Sequence, residues 1–104
     1  MTAVVVVATI GPLPEHRAEV IAAMEKAIAD VHAHDDGCLL YALHEGDDRL
    51  VMVEKWASAG ALAEHSRGAA LAELNQALSG RLEGALDVQL LRPHPAGSPA
   101  QGTL

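Results

Sequence analysis

LVMVEKWASAGALAEH, residues 50–65, changes from strand-like to helix-like at its only tryptophan. Residues 50–56 are mostly apolar and β-prone, which is typical of a strand. Ser58 is a suitable N-cap, and the small residues after it favour a helix. The chain has one Trp, one Tyr and no Phe, so its largest side chain stands where the strand ends. We therefore predict a strand that runs directly into a helix, with Trp56 at the junction.

The segments on either side predict the rest of one small domain. In order, the pattern predicts a strand at residues 3–10, an amphipathic helix at 14–34, paired strands at 38–44 and 49–56, a helical region after Ser58 that breaks at Gly68, and a strand at 85–92. This order, β-α-β-β-α-β, is the ferredoxin-like α+β pattern, a four-stranded antiparallel sheet with the helices on one face. We expect one domain over residues 1–93 and a flexible tail at 94–104, which is rich in Pro, Gly, Ser and Ala.

Composition argues against several classes of partner. Fourteen Asp and Glu against seven Lys and Arg give a net charge of −7, which would repel the phosphates of a nucleic acid. The single Cys38 cannot form an internal disulfide. The apolar run at residues 3–10 is too short to span a bilayer and has no basic leader. We expect a cytoplasmic protein that binds neither nucleic acid nor membrane.

The strands are apolar on both faces, although an antiparallel sheet covered by helices on one side usually alternates apolar with polar residues. In the first strand of the hairpin, Leu39, Tyr41 and Leu43 are expected on one face and Leu40 and Ala42 on the other. Soluble proteins rarely leave such an apolar face exposed to solvent, and a second sheet can pack against it. We therefore predict a homodimer with the two sheets face to face.

The hairpin region also carries two motifs. GCLLYALHE at residues 37–45 contains G-C-x-x-Y, and E-x-W at residues 54–56 is followed nine residues later by His65. Together they resemble the antibiotic biosynthesis monooxygenase family, in particular its small quinol monooxygenase-like members. The resemblance extends to about Pro93 and implies the dimeric α+β barrel fold. Relatives commonly carry a second His shortly after the first, where this chain reads RGAAL.

The resemblance implies a cofactor-independent monooxygenase that uses O2 to oxidise a small electron-rich aromatic, a hydroquinone or polyphenol, to a quinone without metal or flavin. It suggests Trp56 as a wall on which the substrate stacks, His65 as proton acceptor or hydrogen-bond partner, and Tyr41 as a weaker hydrogen-bonding candidate. The missing second His favours the alternative, a non-catalytic dimer of the same fold that binds a small ligand or serves in a stress response. Fold alone does not decide between them.

Each candidate residue also has a structural interpretation. Trp56 can simply close the core at a strand end, and His65 can be a packed histidine. Glu54 is either paired with a Lys or Arg or poised in a cleft with a raised pKa. The HAHDD segment, residues 32–36, lacks the third His of a metal motif, so we expect no metal site there. Cys38 is expected to be a buried structural thiol.

Overall fold

The computed structural model describes residues 2–104 and contains a four-stranded antiparallel sheet with three helices. The elements in chain order are β1 (Val4–Ile10), α1 (Arg17–His34), β2 (Cys38–Glu45), β3 (Leu50–Trp56), α2 (Ala59–Ser66), α3 (Ala69–Leu78) and β4 (Asp87–Leu91). The strands lie in the order β2-β3-β1-β4, and all neighbours are antiparallel. The predicted ferredoxin-like α+β fold is confirmed.

Local signals in the sequence account for where the helices begin and end. The Ser58 hydroxyl accepts a hydrogen bond from the Ala61 backbone N–H at 3.1 Å, as the N-cap of α2. Gly68 separates α2 from α3, as predicted from the break in the pattern. The first predicted helix starts later than expected, because Pro14–His16 form a separate 3-10 turn before α1.

A single core lies between the sheet and the helices. The most deeply buried side chains come from β1, α1, β3 and α3 and include Ile10, Val20, Met24, Val31, Leu50, Met52, Trp56, Leu74 and Leu78. In β3 every second residue is buried, so Leu50, Met52, Glu54 and Trp56 all point toward the helices. This alternation places one carboxyl group and the only indole inside the core layer.

A β-bulge in β2 changes one expectation about which residues share a face. The pairing with β3 shifts between Cys38 and Leu40, so Cys38 lies opposite Trp56 and Tyr41 opposite Glu54. The prediction that Leu39 shares a face with Tyr41 is therefore wrong, and Leu39 is 57% exposed. Cys38 takes the inward position and is half-buried, and this burial raises the pKa of its thiol.

The sheet face opposite the helices carries many apolar side chains. Val7, Val51 and Val53 are half-buried there, and the homodimer that would cover them stays a prediction. The Lys55 ammonium on the same face donates a hydrogen bond to the Leu104 carbonyl oxygen. The flexibility expected for residues 94–104 also stays a prediction.

No helix within residues 2–104 combines the length and the apolar character needed to cross a membrane.

Candidate functional site

A cavity of about 330 Å³ lies between the sheet and the helices. Most of its wall is apolar and comes from Val6, Ala8, Ile10, Met24, Met52, Leu62, Leu71, Leu74, Leu78, Leu86, Val88 and Leu90. Five polar side chains also line it: Tyr41, Glu54, His65, Ser66 and Asn75. A small apolar cavity with a few polar groups is the usual form of a site for a small organic ligand.

His65 lies in the last turn of α2 and is only 6% exposed. A two-residue link, Ala57 and Ser58, joins β3 to α2, so the helix folds back over the end of the strand that carries Trp56. The His65 Nδ1 atom lies 2.9 Å from the Asp35 Oδ2 atom, just after the end of α1. Because Nδ1 is engaged by Asp35, Nε2 is the ring nitrogen left for a ligand.

Trp56 is fully buried, and its indole lies against the imidazole of His65 rather than on the cavity surface. The two rings stack with their centroids 4.5 Å apart at an interplanar angle of 29°. The indole N–H donates a 2.9 Å hydrogen bond to Glu54 Oε1. A substrate would reach this face of the indole only by displacing His65, so the geometry makes Trp56 a support for Glu54 and His65. Its predicted stacking on substrate stays a prediction.

Glu54 is a buried carboxyl group that faces the cavity. Its only hydrogen-bond donor within residues 2–104 is the indole of Trp56, so the ion pair with Lys or Arg considered from the sequence is absent from that part of the chain. Burial raises the pKa of Glu54, while the Trp56 hydrogen bond and the nearby His65 oppose this increase. The other interpretation, a carboxyl in a cleft with a raised pKa, matches the structure.

Tyr41, on β2, is a third polar side chain at the cavity beside Glu54 and His65, and it is buried. Its ring makes edge contacts with His65 and Trp56, at centroid distances of 5.4 and 6.0 Å. Burial and the adjacent charge of Glu54 raise the pKa of the Tyr41 phenol. The hydroxyl therefore keeps its proton at neutral pH and can donate a hydrogen bond to a ligand in the cavity.

The structure brings the three predicted site residues, Tyr41, Trp56 and His65, into one aromatic cluster. Sequence reasoning missed the contribution of Asp35, which it treated as part of the HAHDD segment. In that segment, His32 Nε2 lies 3.1 Å from the Tyr41 carbonyl oxygen, and Asp35 binds His65. An acidic residue directly after a helix gives no sign of a partner 30 positions away in the sequence.

The site can therefore exchange protons within an apolar space. Nε2 of neutral His65 and one oxygen of Glu54 can accept a proton, and the Tyr41 hydroxyl can donate a hydrogen bond. All three groups are held by packing around Trp56, so little reorganisation is needed when a ligand enters.

Comparison with known proteins matches the chain to one family. The family model described as Antibiotic biosynthesis monooxygenase matches residues 3–77. A search of curated proteins found no match.

Several solved structures share the fold over nearly the whole chain. A Caulobacter crescentus CB15 protein classed with the antibiotic biosynthesis monooxygenases is 27% identical, with a TM-score of 0.83 over 86% of this chain and 88% of that chain. Rv0793 from Mycobacterium tuberculosis is 27% identical, with a TM-score of 0.85 over 93% of this chain and 100% of that chain. A conserved Methanosarcina mazei Go1 protein is 26% identical, with a TM-score of 0.81 over 88% and 93% of the two chains.

Proposed function

Because the chain belongs to the antibiotic biosynthesis monooxygenase family, we propose that it is a cofactor-independent monooxygenase that oxidises a hydroquinone or polyphenol with O2 to a quinone. The observation that supports this proposal most is the 330 Å³ apolar cavity with His65, Glu54 and Tyr41 on its wall. Such a cavity has room for a small aromatic ring and offers acceptors and a donor for its hydroxyl groups.

The reaction needs no external reductant, because the substrate supplies all four electrons that reduce O2. Two come from oxidation of the hydroquinone to the quinone, and two come from the ring carbon whose C–H bond becomes C–O. One oxygen atom enters the product, and the other leaves as water. The task of the protein is to hold the substrate, move protons and exclude water.

His65 is the proton acceptor in this scheme. Its Nε2 takes the proton of a substrate hydroxyl, and the resulting phenolate is electron-rich enough to transfer an electron to O2. The two species then combine at the ring carbon to form a peroxide, whose outer oxygen takes the proton back from the imidazolium. Loss of the ring C–H proton forms the C=O bond and breaks the O–O bond, and the outer oxygen leaves with this second proton as water. Tyr41 donates a hydrogen bond to a substrate oxygen, and the apolar walls keep competing water away from the reacting atoms.

Oxygen consumption with a panel of hydroquinones and polyphenols tests the proposal, using protein dialysed against a chelator. With labelled O2, the product should contain one labelled oxygen atom. His65→Ala should lower turnover by about 10²–10⁴-fold, the usual contribution of a positioned acid or base. His94→Ala is the matched control, because this histidine is exposed beyond β4 and should leave turnover unchanged.

Two results would contradict the proposal. If His65→Ala keeps wild-type turnover, the imidazole is structural and the mechanism is wrong. If the protein binds these aromatics in the cavity but consumes no O2 with any of them, the non-catalytic ligand-binding alternative replaces the enzyme.

A further inference from the structure

We propose that Asp35 is a positioning residue of this site, which holds His65 with Nδ1 protonated and so leaves Nε2 as the acceptor toward the cavity. The catalytic meaning of this role rests on the proposed function. The orientation and protonation of the ring rest on the geometry alone.

The hydrogen bond between the two side chains fixes which nitrogen carries the proton. Asp35 Oδ2 lies 2.9 Å from His65 Nδ1. An ionised carboxylate can only accept, so Nδ1 must be the donor. In the neutral ring, Nε2 is then the unprotonated nitrogen. This is the form of histidine that a proton acceptor requires.

Asp35 acts from outside the cavity. His65 lies between the 330 Å³ cavity and a second, outer cleft, and it lines both. Asp35 lines only the outer cleft, where it is 25% exposed. It therefore cannot touch a substrate bound among the apolar walls, and any influence on the reaction passes through His65. This position defines a positioning residue rather than a catalytic one.

The imidazole is also held on its other sides. The indole of Trp56 stacks on one face, and the ring of Tyr41 makes a T-shaped contact with the imidazole. These contacts oppose the ring flip that would place Cδ2 instead of Nδ1 beside Asp35. The aspartate determines which ring nitrogen carries the proton, and the two aromatic rings restrict the movement of the imidazole.

Other titratable groups face His65, and the charge of each affects how the protonation of His65 depends on pH. Glu54 approaches from β3 and Tyr41 from β2, while Glu64 lies next to it on α2. The outer cleft adds His34 and Asp36. None of these groups hydrogen-bonds to the imidazole; within residues 2–104, that contact is made by Asp35 alone. Its negative charge stabilises the imidazolium formed when the substrate loses its proton.

Nitrogen-15 NMR of the histidine side chains tests the assignment without any substrate. In the wild-type protein, neutral His65 should carry its proton on Nδ1. In Asp35→Asn, the carboxamide can also donate a hydrogen bond, so we expect a mixture of tautomers or a predominance of Nε2–H. Asp36→Asn is the matched control. It removes the neighbouring carboxylate, which is exposed and makes no hydrogen bond to His65, and should leave the tautomer unchanged.

Turnover measured against pH supplies the second readout. Asp35→Asn should lower the maximal rate by about 10²–10⁴-fold with little change in KM, since Asp35 does not contact substrate. Loss of the negative charge favours neutral imidazole, so the rising limb of the pH–rate profile should move to lower pH. A purely structural link between α1 and α2 would lower Tm without moving that limb.

The outcomes separate this proposal from the proposed function. Nε2–H as the main tautomer of wild-type His65 would overturn the positioning role, and so would an Asp35→Asn variant with unchanged turnover and pH profile. If no substrate is oxidised, the proposed function fails, and the tautomer in the wild-type and Asp35→Asn proteins still decides whether Asp35 orients the ring.

Discussion

Glu54 makes the stability of the native protein depend on pH. Burial raises the pKa of this carboxyl above its ordinary value of 4.5, so the native state holds the proton more tightly than the unfolded chain does. Its contribution to stability is therefore complete below the ordinary carboxyl pKa. It is lost as the pH rises through the higher native value, at a rate of up to about 1.4 kcal/mol per pH unit within that window.

Replacing Glu54 with Gln should remove this loss of stability at higher pH. Gln keeps an oxygen that can accept from the Trp56 indole but carries no charge. We expect the Tm of Glu54→Gln to match that of the wild type in acid and to exceed it increasingly as the pH rises from about 4.5 toward neutrality. Thermal unfolding across this range measures the difference. A variant less stable than the wild type at neutral pH would show that the charged carboxylate is stabilised in the native state.

The residues of this site differ in how well the sequence predicts them. Trp56 and His65 stand in motifs, and their inward orientation follows from strand alternation and the short link to α2. The Asp35–His65 hydrogen bond could not be foreseen, because it joins positions 30 residues apart. The stacking of His65 on Trp56 likewise depends on where α2 lies against the sheet, which periodicity does not determine.

At the level of elements, the turn between α1 and β2 determines how closely α2 can approach. Gly37 lies three residues after the end of α1, and its φ is not positive. Its role is steric, because a Cβ atom there would lie 2.3 Å from the Ala61 Cβ atom on α2. The absence of a side chain at Gly37 lets α2 lie close enough for His65 to reach Asp35.

Gly37→Ala should therefore disturb both the stability and the site. We expect a loss of about 1–3 kcal/mol in the free energy of unfolding, as for other overpacked positions, together with reduced turnover. The double variant Gly37→Ala/Ala61→Gly removes the opposing methyl group and should recover much of both losses. Denaturant unfolding of the two single variants and the double variant measures the coupling. Simple additivity of the two single effects would mean that the methyl contact is not the cause.

The elements themselves were largely predictable, and the exceptions have physical causes. The order of strands and helices follows from periodicity and from turn signals such as Ser58 and Gly68. The bulge before Leu40 could not be read from the sequence, because an extra residue in a strand leaves its apolar composition unchanged. Consequently Cys38, not Leu39, takes the inward position at the start of β2.

At the scale of the whole molecule, the sheet face opposite the helices carries the prediction of a homodimer. Val53 lies on β3, one of the two central strands, on this face of the sheet, and it is half-buried. If two sheets pack there, Val53→Lys would bury an unpaired charge at a cost of several kcal/mol. We expect the wild type to sediment as a dimer at micromolar concentration and Val53→Lys to sediment as a monomer.

Ala72→Lys provides the control for this experiment, because it adds the same charge on an exposed position of α3. It should leave the sedimentation coefficient unchanged. Wild-type protein that sediments as a monomer would refute the dimer, and an unchanged dimer in Val53→Lys would place the interface on another surface.

The stacking of His65 on the only indole of the chain gives the protein an intrinsic optical reporter. With no second tryptophan, all indole fluorescence arises within the 4.5 Å contact to the imidazole. A protonated imidazole in contact with an indole quenches its emission, whereas the neutral ring does so far less. We therefore expect the emission intensity to change when His65 gains a proton, in solution and without a label. Proton transfer to this residue can be timed in a stopped-flow instrument while a substrate enters the cavity.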